Sequence, residues 1–435
     1  MSVQIIRGNA LDLPLADDSV DLCITSPPYF GLRSYQDGGA HYESQIGSEA
    51  TPAGFVDALI AATREMVRVV KPSGSIWVNL GDKYAGGGGQ WDKDERPDPH
   101  KLRAASGSIG TGGKTYGLRP KSLIGVPWRY ALRCIDDLGL ILRAEVIWSK
   151  PNGLPESVTD RVRRSHETWF HFTLNPRYYS AVDEIREESK PGQSPAALSF
   201  NRNGRETAPG QTVAPHRIGR EDQGLNPLGK LPGSVWTIPT QPLTVPPHLG
   251  VDHFAAFPME WPRRIVTGWS PREVCTVCGE GRRPVAAQTD SAYAAERARV
   301  RANKTKRTER EEGLGDVFGG VGGRTNTEGF GLISNGVVKP SYAITGYACA
   351  CPHPTAPATP GIVLDPFGGT GTTALVAHAL SRHGITVDMS ADYCRLARWR
   401  TSDPKELARA QQREYIPPRE QVDGQDTFDF EGLGA

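Results

Sequence analysis

The sequence predicts an α/β fold, a doubly wound sheet of mainly parallel strands with helices on its faces. Three observations predict it. Near the N-terminus, short β-branched runs flank an amphipathic helix. The alternation returns over residues 362–400. There a strand runs into Asp365-Pro366-Phe367-Gly368-Gly369-Thr370-Gly371 before a helix, the order of a ligand-binding loop at the carboxyl end of such a sheet.

Each element has a local reason. Val3 to Ile6 is a β-branched run closed by Gly8, and Val20 to Ile24 is a second strand ending in Thr25-Ser26-Pro27-Pro28-Tyr29. Phe55, Leu59, Ala62, Met66 and Val69 repeat at helical spacing, and Lys71-Pro72-Ser73-Gly74 is the stop. Ser75 to Leu80 is the next strand, followed by a Gly-, Asp- and Lys-rich loop over residues 85–113. Trp128 to Leu138 reads as a helix and Leu140 to Trp148 as a strand, with a strand pair at His166 to Leu174 and Tyr178 to Val182. Met259 to Gly268 is helical. Ile362 to Leu364 and Ile385 to Val387 are strands, each followed by a helix, at Thr372 to Ser381 and Asp392 to Arg400.

The bulk numbers limit the function. The 435 residues suit one large domain with insertions or two domains, and 49 Gly with 35 Pro imply many loops. A net charge of +1 gives no global field, so a nucleic-acid partner would need locally concentrated basic residues. No apolar run reaches membrane-spanning length, and MSVQIIRGNA lacks the apolar core of a signal peptide, so a cytoplasmic protein without membrane contact is expected. The seven cysteines fit a reducing compartment, with Cys23, Cys134 and Cys394 expected as buried thiols.

The glycine loop allows close backbone approach to a ligand, and Asp388, after the following strand, suits ribose hydroxyls. No Gly-Lys-Ser/Thr follows, which excludes a P-loop. In Ser26-Pro27-Pro28-Tyr29, two prolines remove two donors and hold the chain extended, leaving carbonyls free to accept. Ser26 adds an acceptor and Tyr29 a flat face. The set suits a planar ring bearing an NH₂ group; a surface Pro-Pro turn with a packed Tyr is the plain structural alternative.

Together, Thr-Ser-Pro-Pro-Tyr and Asp-Pro-Phe-Gly-Gly-Thr-Gly resemble the S-adenosylmethionine-dependent DNA amino-methyltransferases. The order, catalytic loop first, is that of the circularly permuted β group, which implies a Rossmann-like methyltransferase sheet with irregular insertions. Gly8-Asn9-Ala10, Ile147 to Asn152, Pro155-Glu156-Ser157, Arg161 to Glu167 and His253 to Pro258 also match. The resemblance implies that Ser26, Pro27, Pro28 and Tyr29 hold a flipped base in double-stranded DNA. It places Asn9, Thr25, His253, Phe257, Asp365, Phe367, Gly369, Gly371, Thr372 and Asp388 around S-adenosylmethionine. Asn9 stands where Asp is common. Ser26, and Phe257 where adenine-modifying relatives often carry Lys, favour N4 of cytosine, with N6 of adenine the alternative. Direct displacement needs no enzyme nucleophile, and no Pro-Cys motif is present. An RNA or protein amide methyltransferase, and a DNA-binding zinc protein with an inactive core, are the rival readings.

Cys275-x-x-Cys278-Gly279 and Cys349-x-Cys351 suggest a structural zinc held by four thiolates, with His353 as a substitute ligand. Arg297, Arg299, Arg301, Lys304, Lys306, Arg307 and Arg310, and separately Arg161, Arg163 and Arg164, are candidate phosphate contacts. Gln425 to Phe430 resembles peptides that bind bacterial sliding clamps, within a tail expected to be disordered. The expected layout is a catalytic half (1–85), a mobile loop (86–120), continued core (121–188) and a target-recognition region (189–246). A cofactor-methionine segment (247–272), a cysteine-rich insertion (273–354), a cofactor-binding half (355–416) and the tail (417–435) complete it.

Overall fold

The computed structural model describes residues 3–31, 36–37, 40–41, 45–86, 116–153, 155–156, 158–188, 226, 228–251, 256–289, 342–353 and 355–417. The chain begins with β1 (Val3–Arg7) and β2 (Val20–Thr25), then a small hairpin of β3 (Gln36–Asp37) and β4 (Ala40–His41). Helix α1 (Pro52–Val69) starts at Thr51, whose side chain accepts from the Gly54 N–H, and buries Phe55, Leu59 and Met66 on one stripe. Strand β5 (Val70–Leu80) follows without a loop. The helix ends just before Lys71, as expected, but the strand begins at Val70 rather than Ser75, and its first residues bulge: Val20 faces Val70 and Leu22 already faces Ser75.

Helix α2 (Val126–Leu138) lies between Gly125 and Gly139, both left-handed. It leads to β6 (Ile141–Ser149) and β7 (His166–Thr173). Tyr178 to Val182 is not the expected strand. β7 already pairs with both β5 and β6, and Tyr179 instead donates its N–H to the Ser73 carbonyl before a 3-10 turn at Val182–Ile185. Next come β8 (Val235–Thr237), α3 (Glu260–Trp269), β9 (Val274–Cys275), β10 (Arg283–Gln288), β11 (Tyr342–Ala348) and β12 (Ala358–Thr359). The chain closes with β13 (Ile362–Asp365), α4 (Thr372–Ala379), β14 (His383–Asp388), α5 (Ala391–Ser402) and α6 (Pro404–Ala410).

The main sheet has eight strands in the order β1-β14-β13-β2-β5-β7-β6-β8. Only β7 runs against its two neighbours. The last two strands of the chain sit between the first two, so sequence order is circularly permuted relative to sheet order. β8 extends the main sheet through parallel pairing with β6. β8 lies within residues 189–246, the stretch expected as a recognition region.

Alternation along the strands sends side chains to two cores. Ile76, Val78, Phe170 and Phe172 meet α1 and α2 on one face. On the other, Trp77, Trp148, Trp169, Trp236, Trp261 and Trp269 pack together. Trp261 is fully buried and stacks on Trp169 at 4.8 Å and on Trp236 at 5.0 Å between ring centroids. Cys23, Cys134 and Cys394 are buried, as expected. Among the described residues, no helix is long and apolar enough to cross a membrane.

Trp261→Ala is expected to lower unfolding stability by about 3–5 kcal/mol, through lost burial and the cavity left between Trp169 and Trp236. Urea titration followed by tryptophan fluorescence measures it. A loss well under 1 kcal/mol would contradict the packing role.

Candidate active site

β13 and β2 are parallel neighbours. From β13 the chain winds through α4 to β14 on one side; from β2 it winds through α1 to β5 on the other. A crevice therefore opens at their carboxyl ends, where ligands bind in such sheets. Both loops singled out from the sequence arrive there.

A buried hydrogen bond joins them. The Thr25 hydroxyl donates to Asp365 Oδ1 at 2.7 Å. The Phe367 N–H donates to the same oxygen at 3.1 Å, and the Thr373 hydroxyl to Oδ2 at 2.8 Å. Burial raises the Asp365 carboxyl to about 6, against the pull of these three donors, and the Asp388 charge adds to the rise.

The glycine loop is held on every side. The Gly368 N–H donates to the Val387 carbonyl, and a Cβ on Gly368 would fall 1.5 Å from Thr386 Oγ1, so only glycine fits. The Gly369 N–H donates to Asp388 Oδ2 at 2.8 Å, and the Ser390 N–H to Oδ1 at 2.9 Å. From α5, Arg400 Nη1 donates to the Thr370 and Thr372 hydroxyls, both at 2.7 Å, while its Nε donates to Glu406 on α6 at 2.9 Å. The Arg400 and Glu406 side chains are only 3% and 11% exposed, so this pair anchors the loop from below.

One cavity of ≈ 190 Å³ is bordered by residues 8–11 after β1, Ser26 and Pro28 after β2, Phe257, the glycine loop, and Asp388 with Tyr393. It brings together Asn9, Ser26, Pro28, Phe257, Phe367, Gly369, Thr372 and Asp388. Thr25, Asp365, Gly371, Pro27 and Tyr29 do not border it. The first two are buried and bonded to each other, and Gly371 is the left-handed N-cap of α4, where a Cβ would meet Ala397 at 3.0 Å. Asn9 turns its own chain, its Oδ1 accepting from the Leu11 N–H at 3.0 Å. His253 lies outside the described residues, as do the basic stretch at 297–310, the tail from 418, and residues 87–115 and 189–225.

Beside the cavity lies a polar network. The Ser26 hydroxyl donates to Asn79 Oδ1 at 3.2 Å. The Tyr29 hydroxyl is 2.5 Å from the same atom and 2.7 Å from Glu167 Oε2, so its single proton serves two acceptors. Asn79 Nδ2 donates to the Thr168 carbonyl at 3.3 Å, which orients the amide, and Lys150 pairs with Glu167. The Tyr29 ring lies on Gly81, where a Cβ would sit 2.6 Å from it. Asp82 then caps α2, accepting from the N–H groups of Gly125 and Val126. Asn79, Lys150, Glu167 and Arg400 have no role assigned from sequence. The available signal for Asn79 is a polar residue after Ile76-Trp77-Val78 at a strand end, level with the Ser-Pro-Pro-Tyr loop.

All three clustered arginines make contacts within the chain: Arg161 with Glu156 and over the Tyr84 ring, and Arg164 with Asp82 at 3.5 Å. Exposed Arg163 reaches the Gly153 carbonyl. The sulfurs of Cys275, Cys278, Cys349 and Cys351 lie within 4.8 Å of one another, and the His353 ring is not among them.

A sequence profile of the N6/N4 DNA methylase family matches residues 20–275 and 356–398, well over half of the chain. The chain is 42% identical over 204 residues to Type II methyltransferase M.SmaI of Serratia marcescens, covering 46% of this chain and 65% of that protein. To Type II methyltransferase M.Cfr9I of Citrobacter freundii it is 37% identical over 190 residues, covering 43% of this chain and 60% of that one. The chain thus spans less than two thirds of the length of these relatives. The solved structure of PvuII DNA methyltransferase (cytosine-N4-specific) aligns with a TM-score of 0.49 at 15% identity, covering 95% of this chain and 91% of that one. The chain belongs to the N6/N4 DNA methylase family.

Asp365 makes stability depend on pH in a stated direction. Its folded value, about 6, lies above its ordinary 3.8, so its contribution is greatest below about pH 4 and is lost as pH rises through 6. From about pH 4 to pH 7, unfolding titrations are expected to shift by about 3 kcal/mol in favour of Asp365→Asn relative to the parent. Parallel stability curves would contradict the buried ionised carboxylate.

Proposed function

We propose that this chain is an S-adenosylmethionine-dependent DNA methyltransferase that methylates the exocyclic amine of a flipped base in double-stranded DNA, N4 of cytosine by preference. The observation that carries the reading is a single cavity bordered by Ser26 and Pro28 as well as by the glycine loop. Relatives named type II methyltransferases support a DNA-modifying role.

The residues at the glycine-loop end fit an adenosine-bearing donor. Asp388 brings carboxylate oxygens suited to ribose hydroxyls to the cavity wall, Gly368 and Gly369 bring bare backbone there, and Phe367 adds an apolar face. S-adenosylmethionine supplies an electrophilic methyl group on a sulfonium.

At the other end, the base amine needs its lone pair drawn out of conjugation and aimed. The Ser26 hydroxyl donates its hydrogen to Asn79 Oδ1 in a hydrogen bond, so the Ser26 oxygen offers lone pairs to an amine N–H. The Pro27 carbonyl is a second acceptor on a stretch stiffened by two prolines. Tyr29, fixed over Gly81 and tied to Asn79 and Glu167, holds the loop in register with β5 and β7. Catalysis by these groups is positioning and electrostatic. Ser26, in place of an acidic or amide residue, and Phe257, edge-on to Trp169 at the cavity wall, support cytosine. N6 of adenine is the alternative, because the same two acceptors suit either amine.

Incubation with DNA and S-adenosylmethionine, then digestion and nucleoside mass spectrometry, is expected to show N4-methylcytosine. N6-methyladenine would establish the alternative, and no methylated nucleoside would refute the reading. Ser26→Ala is expected to slow transfer on the order of 10²-fold with donor affinity unchanged.

A further inference from the structure

We infer that Cys275, Cys278, Cys349 and Cys351 bind one zinc ion as four thiolates, and that the ion fastens the insertion between α3 and β13 to the main sheet.

The sulfur positions suit it. Cys275 Sγ and Cys351 Sγ are 3.8 Å apart, Cys349 Sγ and Cys351 Sγ 3.5 Å, and all four lie within 4.8 Å. A tetrahedron with metal–sulfur bonds of about 2.3 Å has edges of about 3.8 Å. A turn after β9 brings Cys275 and Cys278 together. Gly279, at φ +72°, closes this turn by donating its N–H to the Cys275 carbonyl.

The surrounding charge fits as well. Four thiolates around a divalent ion leave a net charge of about −2. Arg282 sits against the Cys349 sulfur while donating to Glu273 at 2.6 Å and to the Ala356 carbonyl at 2.5 Å. It is a held cation placed where the cluster needs one.

An independent observation says why a metal is needed. No described residue between Val274 and Ile362 belongs to any of the chain's hydrophobic clusters. The β10–β11 ribbon is mostly exposed. A module without an apolar core requires another staple. The proposed ion would sit where that staple matters. Cys275 pairs with Ala358 across β9 and β12, and β13 begins three residues after Thr359. At Gly361 a Cβ would lie 2.3 Å from the Pro271 carbonyl, so this entry to β13 is tightly seated.

The inference stands apart from the methyl-transfer reading and is tested without it. Elemental analysis of the purified full chain is expected to give one zinc per chain. Cys278→Ser and Cys351→Ser should each lose more than half of it, while Cys134→Ser retains it. Should the variants misfold, cobalt(II) substitution of the parent is expected to show the charge-transfer and ligand-field bands of a tetrahedral tetrathiolate. Removal of zinc with an organomercurial is expected to open the chain to proteolysis within residues 276–357 before the core is cut. Iron in place of zinc, no bound metal, unchanged zinc in both variants, or unchanged proteolysis would overturn the proposal.

Discussion

The hydrogen bond from Thr25 to Asp365 joins residues 340 positions apart, and the site depends on it. It fixes the end of β2 against the end of β13, so the two loops leaving those strands share one crevice. Asp365 also accepts from the Phe367 N–H and the Thr373 hydroxyl, so one carboxylate sets strand end, loop and first helical turn. Hydrogen bonds to a charged group stabilise by about 1.5–3 kcal/mol each. Burial works against them and raises the carboxyl to about 6. That balance holds a charge where an apolar residue would leave the loop unfixed.

The permuted order gives this interaction its weight. β13 and β14 reach the sheet after every other strand and insert between β1 and β2. Their arrival completes the cavity, since the glycine loop and Asp388 come with them. On the far side of that loop, buried Arg400 binds Thr370 and Thr372 and is itself held by Glu406. The loop is thus held between Asp365 in the sheet and Arg400 in the helix layer. The tryptophan cluster stiffens the opposite half, where β5, β6, β7 and β8 bring Asn79, Lys150 and Glu167 to the loop from Ser26 to Tyr29.

What was legible in the sequence was local. Prolines in Ser26 to Tyr29 and glycines in residues 368–371 declare their backbone geometry without knowledge of neighbours, and Asp388 is placed by ending a strand. Asn79, Glu167 and Arg400 were not legible, because register puts them in place. Asn79 reaches Ser26 because β5 pairs with β2 with Val78 beside Thr25, and Glu167 arrives through β7 pairing against β5. Thr25 and Gly371 belonged to the recognisable motifs, yet they act beneath the cavity rather than on its wall. The three-residue β8 is too short for periodicity to declare, and Tyr178 to Val182 has strand-like composition, but the preceding β7 already has a neighbour on each side.

The central claim is that the two loops form one site through Thr25 and Asp365. A double-mutant cycle on single-turnover methyl transfer, with Thr25→Val, Asp365→Asn and both together, tests it most directly. The account predicts that each single substitution slows transfer and that the double variant is little slower than the worse single one, a coupling of about 1–3 kcal/mol. Losses that simply add would show that the loops act independently and would contradict it.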